Sequence, residues 1–274
     1  MTLERQPGWI VPDWPAPARV RALSTTRQGG VSVGPYGLAD GSPGGLNLGT
    51  HVGDDPSAVA ENRARLAAHL PAMPRWLEQV HGCAVATADG VEDGVEDGVE
   101  DGEGGVPRAD ASIATTPGHV CAIMTADCLP VLLCDAAGTV VGAAHAGWRG
   151  LCDGVIEATL ARMAAQAGPG SEWLAWLGPA IGPSAFEVGA EVREAFLAQA
   201  REAERPAVEA AFRPGAPGKY WADLYALART RLARAGCTRV YGGDACTVAD
   251  VARFYSYRRD RTTGRMATLV WLAA

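Results

Sequence analysis

Residues 121–154 read CAIMTADCLPVLLCDAAGTVVGAAHAGWRGLCDG, and we expect the rest of the chain to be organised around this stretch. It contains two apolar runs, Pro130–Cys134 and Thr139–His145, which are separated by the tetrad DAAG at 135–138. Short β-branched runs on either side of a polar, glycine-containing tetrad are typical of a β-hairpin. The stretch therefore predicts a hairpin at the centre of the fold.

The register of this hairpin brings two reactive side chains together. A turn centred between Ala136 and Ala137 pairs residues whose numbers sum to 273, which places Cys128 opposite His145. Directly opposed residues hold their Cβ atoms about 4.5–5.5 Å apart. That separation allows a thiol and an imidazole to share a proton or a metal ion.

The turn after the hairpin has the features of an anion site. Arg149 stands between glycines in AGWRG, just before a predicted amphipathic helix at 151–166. A guanidinium can bind a phosphate or carboxylate through two hydrogen bonds, and the amides at a helix start also bind anions. An ordinary surface arginine is the alternative interpretation.

Residue types and spacing leave three interpretations of Cys128 and His145. They are buried core residues, a thiolate nucleophile with its base, or two ligands of a metal ion. The best third ligand is His81, in a glycine-flanked turn that we expect between two short strands. A Cys-His-His set leaves one tetrahedral position open, as catalytic zinc sites do.

Two further groups could support such a site. Asp127 either orients the neighbouring Cys128 without binding the metal itself or caps the turn in which both residues lie. Arg258, Arg259 and Arg265 form a second basic cluster in the aromatic-rich segment RFYSYRRDRTTGR. This cluster is either a solvated edge or a rim that faces the substrate.

Composition limits the class of protein and of partner. The chain has 274 residues, of which 48% are hydrophobic and 20% charged, as in ordinary globular domains. No apolar run approaches the roughly 18 residues of a membrane span, and the N-terminus lacks the apolar region of a signal peptide. We therefore expect a cytoplasmic protein.

The net charge of −7 is a local property. Eight acidic residues lie between Asp89 and Glu103, and the rest of the chain has a balance of +1. This near-neutral body gives no support for a nucleic-acid or membrane partner. The seven cysteines are odd in number and lack C-x-x-C spacing, which argues against a disulfide framework.

Strands and helices are interleaved along the chain, but strand pairs form hairpins without helical crossovers. This pattern predicts an α+β (mixed α/β) fold, a single layered domain with mixed, largely antiparallel sheets flanked by helices. Further strands are expected at 173–177 and 266–272, and a long helix at 188–211. We place the domain at 18–274, with the acidic low-complexity repeat at 90–105 as a disordered loop insertion.

Six motifs together resemble a known family, the laccase-domain proteins. They are LNLGTHVGDDP, QVHG, TADCLPVLL, AHAGWRG, GPAIGPSAFEVG and FYSYRRDRTTGRMA, in this order from about residue 18 to 272. Members are also named peptidoglycan editing factors, multicopper polyphenol oxidase-like proteins or purine nucleoside phosphorylases. The resemblance implies a single mixed α/β domain with a zinc ion held by His81, Cys128 and His145.

The family's reported activities include phosphorolysis of adenosine, inosine and methylthioadenosine, deamination of adenosine, hydrolysis of UDP-N-acetylmuramoyl-L-serine, and copper-dependent oxidation of phenols. A multicopper cluster needs many histidines, typically in His-x-His pairs, and this chain has five histidines and no such pair. We therefore expect oxidation to be a side reaction at most, and we expect Zn²⁺ as the ion with Cu²⁺ as the alternative.

We expect a zinc-dependent purine nucleoside phosphorylase, with a purine nucleoside and phosphate as substrates and Cys128, His145 and Arg149 as catalytic residues. The alternative enzyme is an editing amidase that acts on a nucleotide-linked muramoyl amino acid. The alternative of another class is a non-catalytic zinc-binding interaction module. Structural zinc usually has four protein ligands, and no convincing fourth ligand is evident in the sequence.

Overall fold

The computed structural model describes residues 8–89 and 105–274. The strands are β1 (Val20–Ser24), β2 (Gln28–Ser32), β3 (Val85–Thr87), β4 (Ala111–Ala114), β5 (Val120–Thr125), β6 (Leu129–Asp135), β7 (Val141–Ala146), β8 (Trp173–Leu177), β9 (Glu187–Gly189), β10 (Phe212–Pro214), β11 (Lys219–Ala222), β12 (Arg239–Gly242) and β13 (Met266–Leu272). The α-helices are α1 (Pro56–Ala67), α2 (Trp148–Asp153), α3 (Val155–Ala164), α4 (Ala190–Gln199), α5 (Arg205–Ala210), α6 (Leu224–Arg234) and α7 (Tyr257–Asp260).

The predicted hairpin lies at the centre of the largest sheet. This sheet has the strand order β12-β8-β6-β7-β4-β3. The central pairs are antiparallel, whereas the pairs β12–β8 and β3–β4 at the two edges are parallel. β6 and β7 are buried along their whole lengths, which agrees with their continuous apolar sequence.

The hairpin register differs from the prediction by two residues. Leu129 pairs with Ala146 and Pro130 with His145, so partners sum to 275 and Cys128 is not directly opposite His145. The turn centre lies one residue later because Gly138 adopts φ +69 and donates its amide to the Asp135 carbonyl. A shift of two residues keeps every side chain on the same face, so the thiol and the imidazole remain neighbours.

The architecture is layered. A three-stranded antiparallel sheet, β1-β13-β5, packs on one face of the large sheet through residues such as Val20, Ile123 and Val270. Helices α2, α3 and α6 cover the other face, and α1 packs over the outside of the small sheet through Leu66. A second small sheet, β10-β11-β9, lies beside α4. The prediction of one α+β domain with mixed, largely antiparallel sheets flanked by helices is confirmed.

Two helix predictions are wrong in detail. The segment 151–166 is divided between α2 and α3, because Gly154 adopts the left-handed conformation with φ 106 and ends the first helix. The segment 188–211 begins as β9 and is interrupted after α4, where Ala200 is extended with ψ 132.

Almost all of the acidic repeat predicted at 90–105 lies outside the described residues, so its loop character and the boundaries 18–274 stay predictions. Among the helices of the described segments, none is long and apolar enough to cross a membrane.

Candidate metal centre

The three predicted ligands meet at one end of the two stacked sheets. Cys128 lies directly before β6, and His145 is the penultimate residue of β7, which ends at the same edge. His81 reaches this edge from the loop that precedes β3. Pairing of β6 with β7 in the hairpin therefore brings two of the ligands together, and the loop before β3 adds the third.

The ligand atoms of His81, Cys128 and His145 all lie within 4.8 Å of one another. The Cys128 Sγ is 3.8 Å from the His81 Nε2. Zinc bonds of about 2.3 Å to sulfur and about 2.0 Å to nitrogen, at a tetrahedral angle, place such atoms about 3.5 Å apart. This donor set therefore fits a tetrahedral metal ion that keeps one position without a protein ligand.

A glycine makes this close approach sterically feasible. An added Cβ at Gly147 would lie 2.9 Å from the His81 Cδ2 and 3.1 Å from the Cys128 Sγ. The backbone of Gly147 thus forms one wall of the centre, and a side chain there would displace the ligands. This close packing against two ligand side chains explains why position 147 of the AHAGWRG motif is a glycine.

The charges within the cluster favour the proton on the His145 imidazole and not on the Cys128 thiol. Burial alone would raise the pKa of the Cys128 thiol, but the positive charge of His145 and hydrogen bonds to both histidines lower it overall. The pKa of His145 is raised, because the attraction of Cys128 and the hydrogen bond to Asp110 outweigh the cost of burial. Because thiolate is the form that binds metals, the site is electrostatically prepared for a cation.

Asp110 is a site residue that the sequence did not reveal. It is fully buried directly before β4, and its Oδ1 lies 2.8 Å from the His145 Nδ1. Carboxylates commonly hold metal-binding histidines in this way. An aspartate in the unremarkable segment RADASIA gives no local signal, and only the pairing of β4 with β7 brings it to the site.

The environment of His81 differs from the prediction. Instead of two flanking strands, residues 73–82 form an irregular segment before β3, and His81 has the left-handed φ of 63. Its side chain is exposed, whereas His145 is only 3% exposed. One ligand therefore projects from a surface loop and the other from the sheet.

Asp127 does not contact a ligand side chain directly. It has a left-handed φ of 94, and its carboxylate accepts hydrogen bonds from the Thr247 hydroxyl at 2.6 Å and the Arg258 amide at 2.6 Å. Its carbonyl accepts the amide of Ile181 at 2.9 Å. Asp127 therefore ties two C-terminal loops to the turn that presents Cys128.

The predicted basic residues separate into two groups. Arg258 donates to the Glu187 carbonyl, and Arg259 donates to the carbonyls of Thr247 and Val248 and pairs with Asp260, so both act within the protein. Arg149, in contrast, is exposed and stacks over Trp148 at 4.6 Å.

Arg265 lies directly before β13, which pairs with the strand β5 that leads toward Cys128. Its neighbour Met266 pairs with Thr125, three residues before Cys128, and the Cys128 and Asp127 charges act on its guanidinium. Its side-chain stem lies over Gly49, where an added Cβ would meet the Arg265 Cγ at 2.8 Å.

A second arginine reaches the same loop as Arg265. Arg63 on α1 donates to the Leu48 carbonyl at 2.9 Å and stacks over Trp76. Partial burial of the His51 imidazole lowers its pKa, and the charges of Arg265 and Arg63 lower it further. Within the described ranges neither arginine forms an ion pair with a carboxylate, so no direct ion pair neutralises either guanidinium.

The protein is thus a layered α+β domain that carries a His-Cys-His cluster at one end of its sheets. This combination is that of a protein with a candidate metal centre. The sequence model of the family described as "Multi-copper polyphenol oxidoreductase laccase" matches residues 21–273. The chain belongs to this family.

Relatives agree with this assignment over nearly the whole chain. The purine nucleoside phosphorylase of Pseudomonas aeruginosa is 56% identical over 265 residues, covering 96% of this chain and 98% of that protein. The purine nucleoside phosphorylase YfiH of Escherichia coli is 52% identical with the same coverage.

Solved structures of related proteins have the same fold. A Neisseria meningitidis protein superposes with a TM-score of 0.82 at 48% identity, covering 97% of this chain and all of that one. YlmD from Geobacillus stearothermophilus also gives 0.82, at 31% identity and 99% coverage of both chains.

Proposed function

We propose that this protein is a zinc-dependent purine nucleoside phosphorylase, with His81, Cys128 and His145 as the metal ligands. The observation that carries the proposal is this metal-fitting cluster together with the guanidinium of Arg265, on which the charge of Cys128 acts and whose Nη1 alone donates to the Thr263 and Gly264 carbonyls. Phosphorolysis needs both a group that binds the nucleoside and a cationic site for phosphate. The name shared by the P. aeruginosa and E. coli relatives supports the same activity.

The reaction defines what the residues must do. A phosphate oxygen forms a bond to C1′ of the ribose while the C1′–N9 bond breaks, and the purine leaves with the bonding electron pair and takes up a proton. The products are ribose 1-phosphate and the free base. Holding the two reactants in one orientation removes much of the entropic barrier to such a two-substrate reaction.

The metal ligands have a defined task in this proposal. The Cys128 thiolate and the neutral His145 hold the ion from the rigid sheet, and His81 holds it from the surface loop. Zinc bound there supplies a Lewis acid that polarises a substrate oxygen or nitrogen. We assign zinc rather than a multicopper cluster because the described residues contain one such group of three ligands.

Phosphate has two candidate anchors. Arg149, which the sequence suggested, stacks on Trp148 with its guanidinium exposed. The charges of Cys128 and Asp127 act on the guanidinium of Arg265, and the charges of Arg265 and Arg63 both act on His51. Guanidinium groups without carboxylate partners retain donors for a phosphate oxygen. We therefore propose that Arg265 binds phosphate together with Arg149.

The structural-zinc alternative needs a fourth protein ligand. The cluster of His81, Cys128 and His145 has three members in the described ranges, which favours an enzyme. The editing amidase would use the same cluster and remains an outcome of the test below.

The test is inosine cleavage by zinc-loaded protein with and without inorganic phosphate, with hypoxanthine and ribose 1-phosphate quantified by chromatography. We expect both products in equal amounts, and only when phosphate is present. Adenosine in the same assay reports deamination as inosine. No cleavage of any purine nucleoside would refute the proposal, and release of serine from UDP-N-acetylmuramoyl-L-serine would then identify the amidase.

The phosphate anchors are tested by three arginine variants. Arg265→Ala and Arg149→Ala should each raise the KM for phosphate, with a larger effect than on the KM for inosine. Arg193 provides a matched control, because it also stacks on an aromatic ring, that of Tyr220 at 5.2 Å. Arg193→Ala should leave both constants unchanged. An unchanged KM for phosphate in either of the other variants removes that arginine from the proposed site.

A further inference from the structure

Both carboxylate oxygens of Asp110 are fully used inside the protein. The Oδ1 accepts from the His145 Nδ1 at 2.8 Å and from the His81 amide at 2.9 Å. The Oδ2 accepts from the amides of Val80 at 3.1 Å and Gly82 at 2.6 Å. One buried side chain therefore contacts the segments that carry two of the three ligands.

The backbone of Asp110 reinforces this arrangement. Its carbonyl accepts the His145 amide at 2.6 Å, and its own amide donates to the Ala84 carbonyl at 3.1 Å. The residue is thus fixed to β7 on one side and to the end of the His81 loop on the other. Its carboxylate cannot move without moving both.

The contact with His145 determines which ring nitrogen is free. In the neutral imidazole, which is the form that binds a metal, the Nδ1 proton is donated to Asp110, so Nε2 carries the lone pair and is directed toward the other ligands. The opposite tautomer would place a proton on Nε2 and block coordination. Asp110 therefore selects the tautomer that binds a metal.

The contacts with residues 80–82 hold a loop in an unfavourable conformation. His81 has a φ of 63, although it is neither glycine nor asparagine and its side chain is exposed. Left-handed non-glycine residues persist when the surrounding structure compensates for their strain. Three consecutive amides that converge on one carboxylate provide this compensation and direct the imidazole toward Cys128.

We propose that Asp110 is the positioning residue of the metal centre: its carboxylate assembles His81 and His145 into binding geometry before the metal arrives. The proposal rests on the ligand set and not on the reaction that the centre performs. Its test therefore measures metal binding, and a failure to find phosphorolysis would leave it intact.

The decisive variant is Asp110→Asn. An amide can offer its oxygen to only one of the two sides that Asp110 now serves. If the oxygen faces the Val80 and Gly82 amides, the amide nitrogen meets His145 and favours its wrong tautomer. If it faces His145, the amides of Val80 and Gly82 in the His81 loop lose the one oxygen that accepts from both. Either orientation weakens metal binding, by about 10- to 100-fold for a residue of this kind.

A matched control separates positioning from stability. Asp135 is also buried, with 1% exposure, and its carboxylate accepts from the Thr139 amide, the Thr139 hydroxyl and the Val140 amide. It fixes a turn of the same sheet at the opposite end of β6. Asp135→Asn should lower the unfolding midpoint in urea comparably while keeping the zinc dissociation constant of the parent protein.

The measurement is competition for zinc against a chromophoric chelator, together with the absorption spectrum of the Co²⁺-loaded protein and the ¹⁵N spectrum of the imidazoles. We expect weaker binding, a changed thiolate-to-cobalt band and loss of the Nδ1-protonated His145 signal in Asp110→Asn alone. If that variant does not fold, Asp110→Glu, which keeps the charge but displaces the carboxylate, is measured identically. Parent-level affinity in the folded variant, or an equal loss in Asp135→Asn, overturns the proposal.

Discussion

Substitution of Gly147 by alanine tests the steric design of the metal centre. The added Cβ would lie 2.9 Å from the His81 Cδ2 and 3.1 Å from the Cys128 Sγ. Carbon atoms in contact prefer about 3.5–4.0 Å, so the ring must retreat by about 0.6 Å or more. Metal sites tolerate deviations of about 0.2 Å in ligand distances, and the displacement exceeds this tolerance about threefold.

The fold itself should accept Gly147→Ala. Gly147 has φ −59 and ψ 156, which any residue can adopt, and the exposed His81 can swing outward. We therefore expect the free energy of unfolding of the metal-free protein to change by less than about 1 kcal/mol. The zinc affinity should fall about 10- to 100-fold, as for other changes that disturb ligand geometry.

Zinc titration and urea unfolding measure these two quantities separately. Gly168→Ala is the control, because an added Cβ at Gly168 meets no atom within 4 Å, and it should leave zinc affinity unchanged. The reasoning is refuted if Gly147→Ala binds zinc as tightly as the parent protein. A loss of folding stability that accounts for the weaker binding would refute it equally.

Two further predictions concern stability. Tyr225 is buried, and its hydroxyl accepts a hydrogen bond from the Ala180 amide at 2.9 Å. Tyr225→Phe should therefore lower the free energy of unfolding by about 1–3 kcal/mol, because it leaves a buried amide unpaired. A urea titration that shows no loss of stability would contradict this. The hydrogen bonds from Arg234 hold the pKa of Glu204 at about 2. Because this folded-state pKa lies below the ordinary value of 4.5, the stabilisation is complete at neutral pH and is lost as the pH falls from 4.5 toward 2. Glu204→Gln should lower the free energy of unfolding by about 1 kcal/mol at pH 7, given the solvent screening of a surface pair. It should also flatten the dependence of this free energy on pH below 4.5. An unaltered pH dependence would contradict the assignment.

Local patterns predicted the elements of the core well. The strands at 173–177 and 266–272 are those of the structure, because continuous apolar runs between turn residues leave few alternatives. The hairpin register was wrong by two residues, since glycine in the left-handed conformation at position 138 moves the turn centre. The long helix predicted at 188–211 failed because helix-forming alanine and glutamate extend across a chain reversal after Gln199.

The site shows the same division between local and long-range information. His81, Cys128 and His145 were chosen by residue type, hairpin spacing and the family resemblance, and the structure brings their ligand atoms together. Asp110 carries no local motif, and it reaches the centre through the β4–β7 pairing, whereas Arg63 contacts the loop at Leu48 from α1. Such contacts depend on the tertiary fold, which a single sequence does not display.

The most direct test of the proposed site is the zinc content and phosphate-dependent inosine cleavage of Cys128→Ala. Cys128 contributes the only thiolate of the three-ligand cluster in the described part of the chain, and alanine offers no donor atom. We expect stoichiometric zinc and turnover to be lost together in this variant while the protein remains folded. Stoichiometric zinc with the turnover of the parent protein would contradict this expectation.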